Sequence, residues 1–131
     1  MSKQRQELGK LGEEQAAAYL QERGYRLLAR NYRCRLGEID IVAQDKDVLV
    51  FVEVRCRTSG RFGLPQESVQ WRKQTRLRRA AQYYLRDAGS SAVRENPPGS
   101  AFTGRMRFDV LALLFNRDRQ LDRIEHIKNA F

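Results

Sequence analysis

The chain has 131 residues, with 25 Lys and Arg against 16 Asp and Glu, so its formal net charge is +9. Its length suits one domain, residues 1–131, with a single core and no second catalytic domain. No apolar run approaches the roughly 18 residues of a membrane span, and no secretory signal precedes the first helix, so we expect a cytoplasmic protein without membrane contact. The positive charge favours a polyanionic partner, most simply nucleic acid.

The residue pattern predicts two helices and five strands. In chain order they are a helix over residues 8–23, strands over 25–31, 37–44 and 48–55, a helix over 67–87, and strands over 107–115 and 121–128. Loops are predicted at 58–65 and at about 88–105, the second long and flexible because Gly, Pro and Ser recur in it. Strand 48–55 is apolar on both faces near its start, which predicts a central place in the sheet. The order fits an α/β fold with one mixed sheet and a helix on each face.

Two carboxylates are predicted to face each other across the second and third strands. If the connecting loop has an even number of residues, position i lies opposite position 93 − i, which sets Asp40 opposite Glu53. An odd loop without a bulge would send them to opposite faces. Two opposed carboxylates repel each other, and Mg²⁺ or Mn²⁺ between them would relieve the repulsion. The alternative is that each carboxylate pairs with an arginine.

Two further charged residues lie on predicted apolar helix stripes. Glu13 shares a stripe of the first helix with Ala16 and Leu20. It is either a third acidic contributor to the same site or half of a salt bridge at the edge of the core. Lys73 lies within the apolar stripe of the second helix, and it either extends to solvent or reaches a phosphate or the carboxylates.

The second helix carries a run of basic residues. Its members are Arg72, Lys73, Arg76, Arg78 and Arg79. Such a run is either a solvated face or a surface that binds phosphates, and the net charge favours phosphates.

Four other residues are predicted to be structural. His126, on the last strand, is predicted to lie at the surface. Trp71 is predicted to pack against the 58–65 loop, although stacking on a base and contact with a second subunit are alternatives. Cys34 and Cys56 have no CxxC spacing, so we expect reduced thiols that fill space in the protein.

Several of these residues fall within motifs that occur together in a fixed order. The motifs are GxxGEExAAxYL at 9–20, GEIDIVA at 37–43, VFVEVR at 50–55, FGxPxESV at 62–69 and RFDV at 107–110. Over about residues 8–131 the chain resembles the YraN family of small bacterial proteins, which is similar to archaeal Holliday-junction resolvases. The resemblance implies a restriction-endonuclease-like α-β-β-β-α-β-β core and the PD-(D/E)xK motif of that superfamily.

The resemblance also implies roles for individual residues. Asp40 matches the first acidic residue of the motif, Glu53 the second, and Glu13 the helix glutamate of the resolvase-like branch. These carboxylates would hold one or two Mg²⁺ or Mn²⁺ ions for phosphodiester hydrolysis. Arg55 stands where the motif usually has lysine; its guanidinium binds phosphate but cannot act as a general base. Lys73 could supply the missing amine.

Three function classes follow from these observations. The first is a metal-dependent DNA endonuclease for branched or distorted DNA, which the resemblance implies to be a homodimer. The second, motivated by Arg55, is a nucleic-acid-binding module whose nuclease site has decayed. The third is an adaptor that uses the basic helix to contact an acidic protein.

Overall fold

The structure is a computed structural model that describes residues 3–58, 71–94 and 105–131. These ranges contain two helices and five strands. In chain order they are α1 (Lys3–Glu22), β1 (Arg26–Cys34), β2 (Gly37–Asp45), β3 (Val48–Thr58), α2 (Trp71–Arg94), β4 (Arg105–Phe115) and β5 (Leu121–Ile127). The element order is the predicted one.

The five strands form one mixed sheet in the order β1-β2-β3-β4-β5. β3 and β4 are parallel, whereas every other neighbouring pair is antiparallel. The central place predicted for β3 is confirmed, and residues 49–53 of this strand are all buried. Because a parallel connection needs a long crossover, α2 lies between β3 and β4 in the chain.

The two helices cover opposite faces of the sheet, as predicted. Ala16 and Leu20 of α1 pack in one buried cluster with Val50, and Leu77 of α2 packs in another with Phe51. Successive residues of β3 thus contribute to different clusters, as strand geometry requires. In the part of the chain that the structure describes, neither helix has the length and apolar character needed to cross a membrane.

The second helix is longer than predicted. α2 continues to Arg94, whereas the sequence predicts its end at 87 and a loop over 88–105. Gly89 does not end it, because one glycine costs a helix interior only about 1 kcal/mol. Residues 95–104 of the predicted loop lie outside the described residues, as do 59–65 of the loop after β3 and 67–70 of the predicted helix.

A close approach between α1 and β3 brings the first helix against the C-terminal half of β3. A Cβ built on Gly12 would collide with the Cys56 sulfur and lie 3.9 Å from a ring carbon of Phe115. Only glycine therefore allows this packing distance. The next residue in the chain is Glu13, so the contact also determines how close the Glu13 carboxylate comes to the sheet.

Gly12→Ala is expected to lower the free energy of unfolding by about 1–3 kcal/mol, because the added methyl group overpacks the α1–β3 contact. Gly9→Ala is the matched control, since a Cβ there meets nothing within 4 Å. It is expected to raise the free energy of unfolding by about 0.5–1 kcal/mol through helix propensity. Urea unfolding of both variants measures the difference. Equal effects of the two substitutions would show that the Gly12 contact is not tight.

Candidate active site

β2 and β3 separate at Asp40. The predicted register is confirmed from the Asp45–Val48 pair to the Ile41–Val52 pair, and the ladder ends there. Beyond that point the Val54 N–H donates a 2.8 Å hydrogen bond to Asp40 Oδ2. A side-chain carboxylate therefore accepts the hydrogen bond from the β3 backbone.

The alternation of side chains along β2 also breaks at Asp40. Ile39 and Val42, three residues apart, both pack on the α2 side, whereas Ile41 packs on the α1 side. In a regular strand, residues two apart share a face. Asp40 thus occupies an irregular point of the sheet, where the charges of Glu53 and Glu13 both act on it.

β1 is also irregular, at Asn31, which lies at the level of Asp40 in the sheet. Asn31 has a φ of 53°, in the left-handed region that side chains other than glycine seldom adopt. Its Nδ2 donates a 3.1 Å hydrogen bond to Glu13 Oε2. Among the described residues, the partner of Glu13 is therefore an amide of β1, and no ion pair with an arginine is seen there.

Burial raises the pKa of Asp40 from 3.8 to about 7, and the negative charge of Glu53 adds to this effect. The hydrogen bond from Val54 opposes the rise, while the charges of Glu13 and Glu38 contribute to it. At neutral pH this carboxyl group is therefore about half ionised. A cation beside it would favour the ionised form.

Glu53 is buried, with 8% of its side chain exposed, and the amine of Lys73 lies 2.6 Å from its Oε1. Lys73 projects from α2 and remains 53% exposed. Of the two alternatives for this residue, the structure shows the one in which it reaches the carboxylates. The result is a lysine beside a buried acidic residue at the fork between β2 and β3.

The acidic side chains at the fork carry oxygen atoms, the donors that a divalent cation prefers. Within the described ranges, no group of three or more His, Cys, Asp or Glu side chains is placed to hold a metal ion. Glu13 is engaged by Asn31, so it adds negative charge without forming a three-residue set with Asp40 and Glu53. Burial and the charge of Glu53 both raise the pKa of Asp40, and a divalent cation bound by oxygen ligands would offset both effects.

Arg55 lies on the same side of β3 as Glu53. Its neighbours Val54 and Cys56 pack on the α1 side, so the alternation of the strand places Arg55 on the α2 side. It is half-buried. The side of the sheet that carries Glu53 and Lys73 therefore also carries the arginine that stands at the position of the motif lysine.

Both cysteines are free and pack against the cores, as predicted. Burial raises the pKa of Cys56 to about 11, and the charges of Asp40 and Glu13 add to the rise. The Cys56 thiol therefore stays protonated near neutral pH and is a poor nucleophile.

One face of α2 forms a row of exposed arginines that we call the arginine stripe. Its members are Arg72, Arg76, Arg79 and Arg86. Their spacing of four, three and seven residues keeps them on one side of the helix. Arg86 was missed because it lies beyond the dense basic run, although its helical spacing from Arg79 could have revealed it.

Arg78 belongs to the predicted basic run but not to this stripe. Its guanidinium lies 5.3 Å from the centre of the Phe108 ring and 5.6 Å from that of Phe131. It therefore contacts the aromatic residues near the end of the chain by cation–π interactions.

The surface location predicted for His126 is wrong. Only 6% of its side chain is exposed, and its Nε2 lies 2.7 Å from Asp109 Oδ2. Asp109 is fully buried. It also accepts two hydrogen bonds from the Arg107 guanidinium and one from the Asn129 N–H. His126 is buried because this wholly enclosed carboxylate requires polar partners.

Trp71 is 75% exposed at the start of α2. Residues 59–65 of the loop that was predicted to cover it lie outside the described residues. The predicted packing of Trp71 against that loop stays a prediction, and Trp71 directly precedes Arg72, the first residue of the arginine stripe.

Comparison with known proteins places the chain in a family. The model of the family described as "Uncharacterised protein family UPF0102" matches residues 12–113. A UPF0102 protein of Pelotomaculum thermopropionicum is 50% identical over 132 residues, which cover 100% of both chains. A UPF0102 protein of Moorella thermoacetica is 48% identical over 132 residues, again 100% of both chains, and one of Desulforamulus reducens is 45% identical over 131 residues, 99% of each. The chain therefore belongs to the UPF0102 family, the YraN-like family that its motifs predict.

Proposed function

We propose that this protein is a Mg²⁺- or Mn²⁺-dependent endonuclease that hydrolyses phosphodiester bonds in branched or distorted DNA. The observation that carries the proposal is the pair Asp40 and Glu53 at the fork between β2 and β3, with the Lys73 amine 2.6 Å from Glu53. The resemblance of the GEIDIVA and VFVEVR motifs to the PD-(D/E)xK pattern supports the same chemistry.

Each polar residue of the site has a task that its position suits. Asp40 and Glu53 would hold the metal ion, which when bound acidifies a water molecule and neutralises charge on the scissile phosphate. The Val54 N–H keeps the Asp40 carboxylate oriented. Lys73 places a positive charge beside Glu53, where it can orient the attacking water or stabilise charge that develops on the phosphate. Arg55 can bind a phosphate oxygen pair through its planar guanidinium.

The arginine stripe supplies the binding surface. From Arg72 to Arg86 it extends about 21 Å, because each helical residue rises 1.5 Å. Measured along the axis of a duplex, that length corresponds to about six steps of one strand. Contacts of this kind recognise the backbone and its shape and not the base sequence, as an enzyme for branched DNA requires.

The resemblance to resolvases also leads us to propose a homodimer. Two symmetric strands of a branch are cut together when two sites are related by a two-fold axis. Sedimentation of the protein with and without four-way junction DNA tests this part of the proposal.

A cleavage assay tests the function directly. Wild-type protein and an identically purified Asp40→Asn variant are incubated with labelled four-way junction, flap, nicked and linear DNA in Mg²⁺ or Mn²⁺. Cutting by the wild type alone supports the proposal, and the substrate that is cut fastest identifies the DNA structure on which the enzyme acts. The absence of cutting with every substrate and every divalent metal would contradict it.

A nucleic-acid-binding module with a decayed nuclease site is the second candidate. It is favoured by Arg55 at the position of the motif lysine and by the ion pair in which Lys73 already neutralises Glu53. Such a module binds DNA without cutting it, with an affinity that falls steeply as salt rises. Calorimetry distinguishes the candidates, because Mn²⁺ binding that is lost in Asp40→Ala would count against a decayed site.

Lys73→Met is expected to lower kcat by about 10²–10³-fold, the loss typical of removing one group that stabilises transition-state charge. Arg72→Met is the matched control, one residue earlier on the same helix. It is expected to raise KM and leave kcat unchanged, because it removes only a phosphate contact. Steady-state kinetics on the preferred substrate separate the two effects. An unchanged kcat in Lys73→Met would remove Lys73 from the chemistry.

A further inference from the structure

The indole side chain of Trp71 is largely exposed to solvent. Trp71 is the only tryptophan of the chain, and 75% of it is exposed. The other large apolar side chains that stand out among the described residues are about 40% exposed. Tryptophan is highly buried on average in folded domains, so this placement calls for a ligand that the indole can contact.

The position of Trp71 relates it to the candidate active site. It directly precedes Arg72, the first member of the arginine stripe, and lies two residues before Lys73. Two helical residues are separated by about 3 Å along the axis but project to different sides of the helix. Residues two apart are rotated by about 200°, so the indole projects to nearly the opposite side of α2 from the Lys73 amine and borders the arginine stripe.

The chemistry of an exposed indole next to cationic side chains suits a nucleobase. Each base has a flat π face, so stacking tolerates any sequence, and one stacked base typically changes affinity by about 5- to 100-fold. In a continuous duplex both faces of each base are covered by its neighbours. Only a base freed at a flap, gap or junction can stack on the protein.

We infer that Trp71 stacks on an unpaired base of a nucleic acid whose phosphates contact the arginine stripe, and so selects nucleic acid with an interrupted base stack. The inference deepens the proposed function and rests on it. It gives Trp71 a role in specificity, with no part in the hydrolysis itself.

The single tryptophan makes the contact directly observable. The wild type without added metal is titrated with gapped DNA and with a fully paired duplex of the same length. Indole fluorescence reports stacking, and the anisotropy of labelled DNA reports binding. We expect quenching by the gapped DNA only, although both DNAs bind. Trp71→Ala should weaken binding of the gapped DNA about 5- to 100-fold and leave duplex binding unchanged.

Two further variants control for general effects. Trp71→Phe keeps an aromatic face and should retain most of the preference for gapped DNA. Met106→Ala removes another exposed apolar side chain, 42% exposed at the start of β4. Met106 pairs with Leu49, four residues from Glu53 along the strand direction, or about 13 Å. It should alter neither binding nor fluorescence.

The outcomes separate this inference from the proposed function. If the wild type cuts DNA, and Trp71→Ala binds and cuts every substrate equally well, the inference fails and the nuclease stands. If fluorescence is quenched by gapped DNA but nothing is cut in Mg²⁺ or Mn²⁺, the base contact stands and the nuclease fails. Emission that shifts with protein concentration in the absence of DNA would place the indole between two copies of the chain and overturn the inference.

Discussion

Asp40→Asn is expected to abolish cutting and yet make the metal-free protein more stable at pH 8. Loss of a residue that merely supports a metal ligand costs 10–100-fold, so loss of a ligand itself should lower the cutting rate by more than about 100-fold. The stability effect has the opposite sign. The native site disfavours the Asp40 charge, as its raised pKa shows, and asparagine carries none.

The pH range over which Asp40 lowers the stability of the native state follows from its raised pKa. Folded Asp40 keeps its proton up to about pH 7, whereas the unfolded chain releases it near the ordinary value of 3.8. The native state therefore binds more protons between these values, and the free energy of unfolding falls as pH rises through this interval. The loss is roughly 2–4 kcal/mol by pH 8. Asp40→Asn avoids this loss.

Urea unfolding at pH 5 and pH 8, with a chelator present, measures this effect. The stability gap between Asp40→Asn and the wild type should grow clearly from pH 5 to pH 8. Glu14→Gln is the control, because it removes an exposed carboxylate of α1 and should show no such dependence. Mn²⁺ at pH 8 should stabilise the wild type and not Asp40→Asn. A variant less stable than the wild type at pH 8 would contradict the electrostatic argument.

Asp109→Ala is expected to lower the free energy of unfolding by about 3–5 kcal/mol, because it leaves the charge of Arg107 without its buried partner. Arg107 is only 18% exposed and donates to both Asp109 oxygens. Burial alone would raise the pKa of Asp109, but hydrogen bonds from His126 and Arg107 outweigh it and the pKa is lowered. The ion pair thus stabilises the fold above about pH 4 and loses strength only in acid.

Glu7→Ala provides the matched control for Asp109→Ala. Its ion pair with Arg119 is even shorter, 2.6 Å against 2.8 Å for Arg107 and Asp109, but both of its side chains are about half exposed. Such surface pairs contribute only about 0.2–1 kcal/mol. Chemical unfolding of both variants at pH 7 makes the comparison. Similar losses from the two substitutions would mean that the Asp109 network is not a central support of the fold.

The sheet was largely predictable from local patterns. The apolar residues of strand 48–55 indicated a central strand. The register predicted for an even loop is found as far as the Ile41–Val52 pair, one pair before Asp40 and Glu53. The fork was not predictable, because GEIDIVA alternates like a regular strand. The break coincides with the left-handed Asn31 and with its contact with Glu13, both of which require the assembled sheet and α1.

The sequence also could not show which side chains meet when the helices and strands pack together. The alternatives for Lys73 could be distinguished only once α2 lay over the end of β3, because the distance to Glu53 depends on that packing. His126 was misplaced for a related reason. Arg107 and Asp109 share a face of β4, but a sequence does not show that the last strand brings a histidine against their buried carboxylate.

Gly12 supports the stability of the fold, whereas the charge of Asp40 lowers it, and saturation mutagenesis should show this difference. A library sorted only for folded protein near pH 8 would reject larger residues at Gly12, because they collide with Cys56, and would enrich uncharged residues at Asp40. A library sorted for cutting would reject changes at both positions. Comparing the substitutions tolerated in the two libraries would therefore separate residues that stabilise the domain from a carboxylate that lowers its stability.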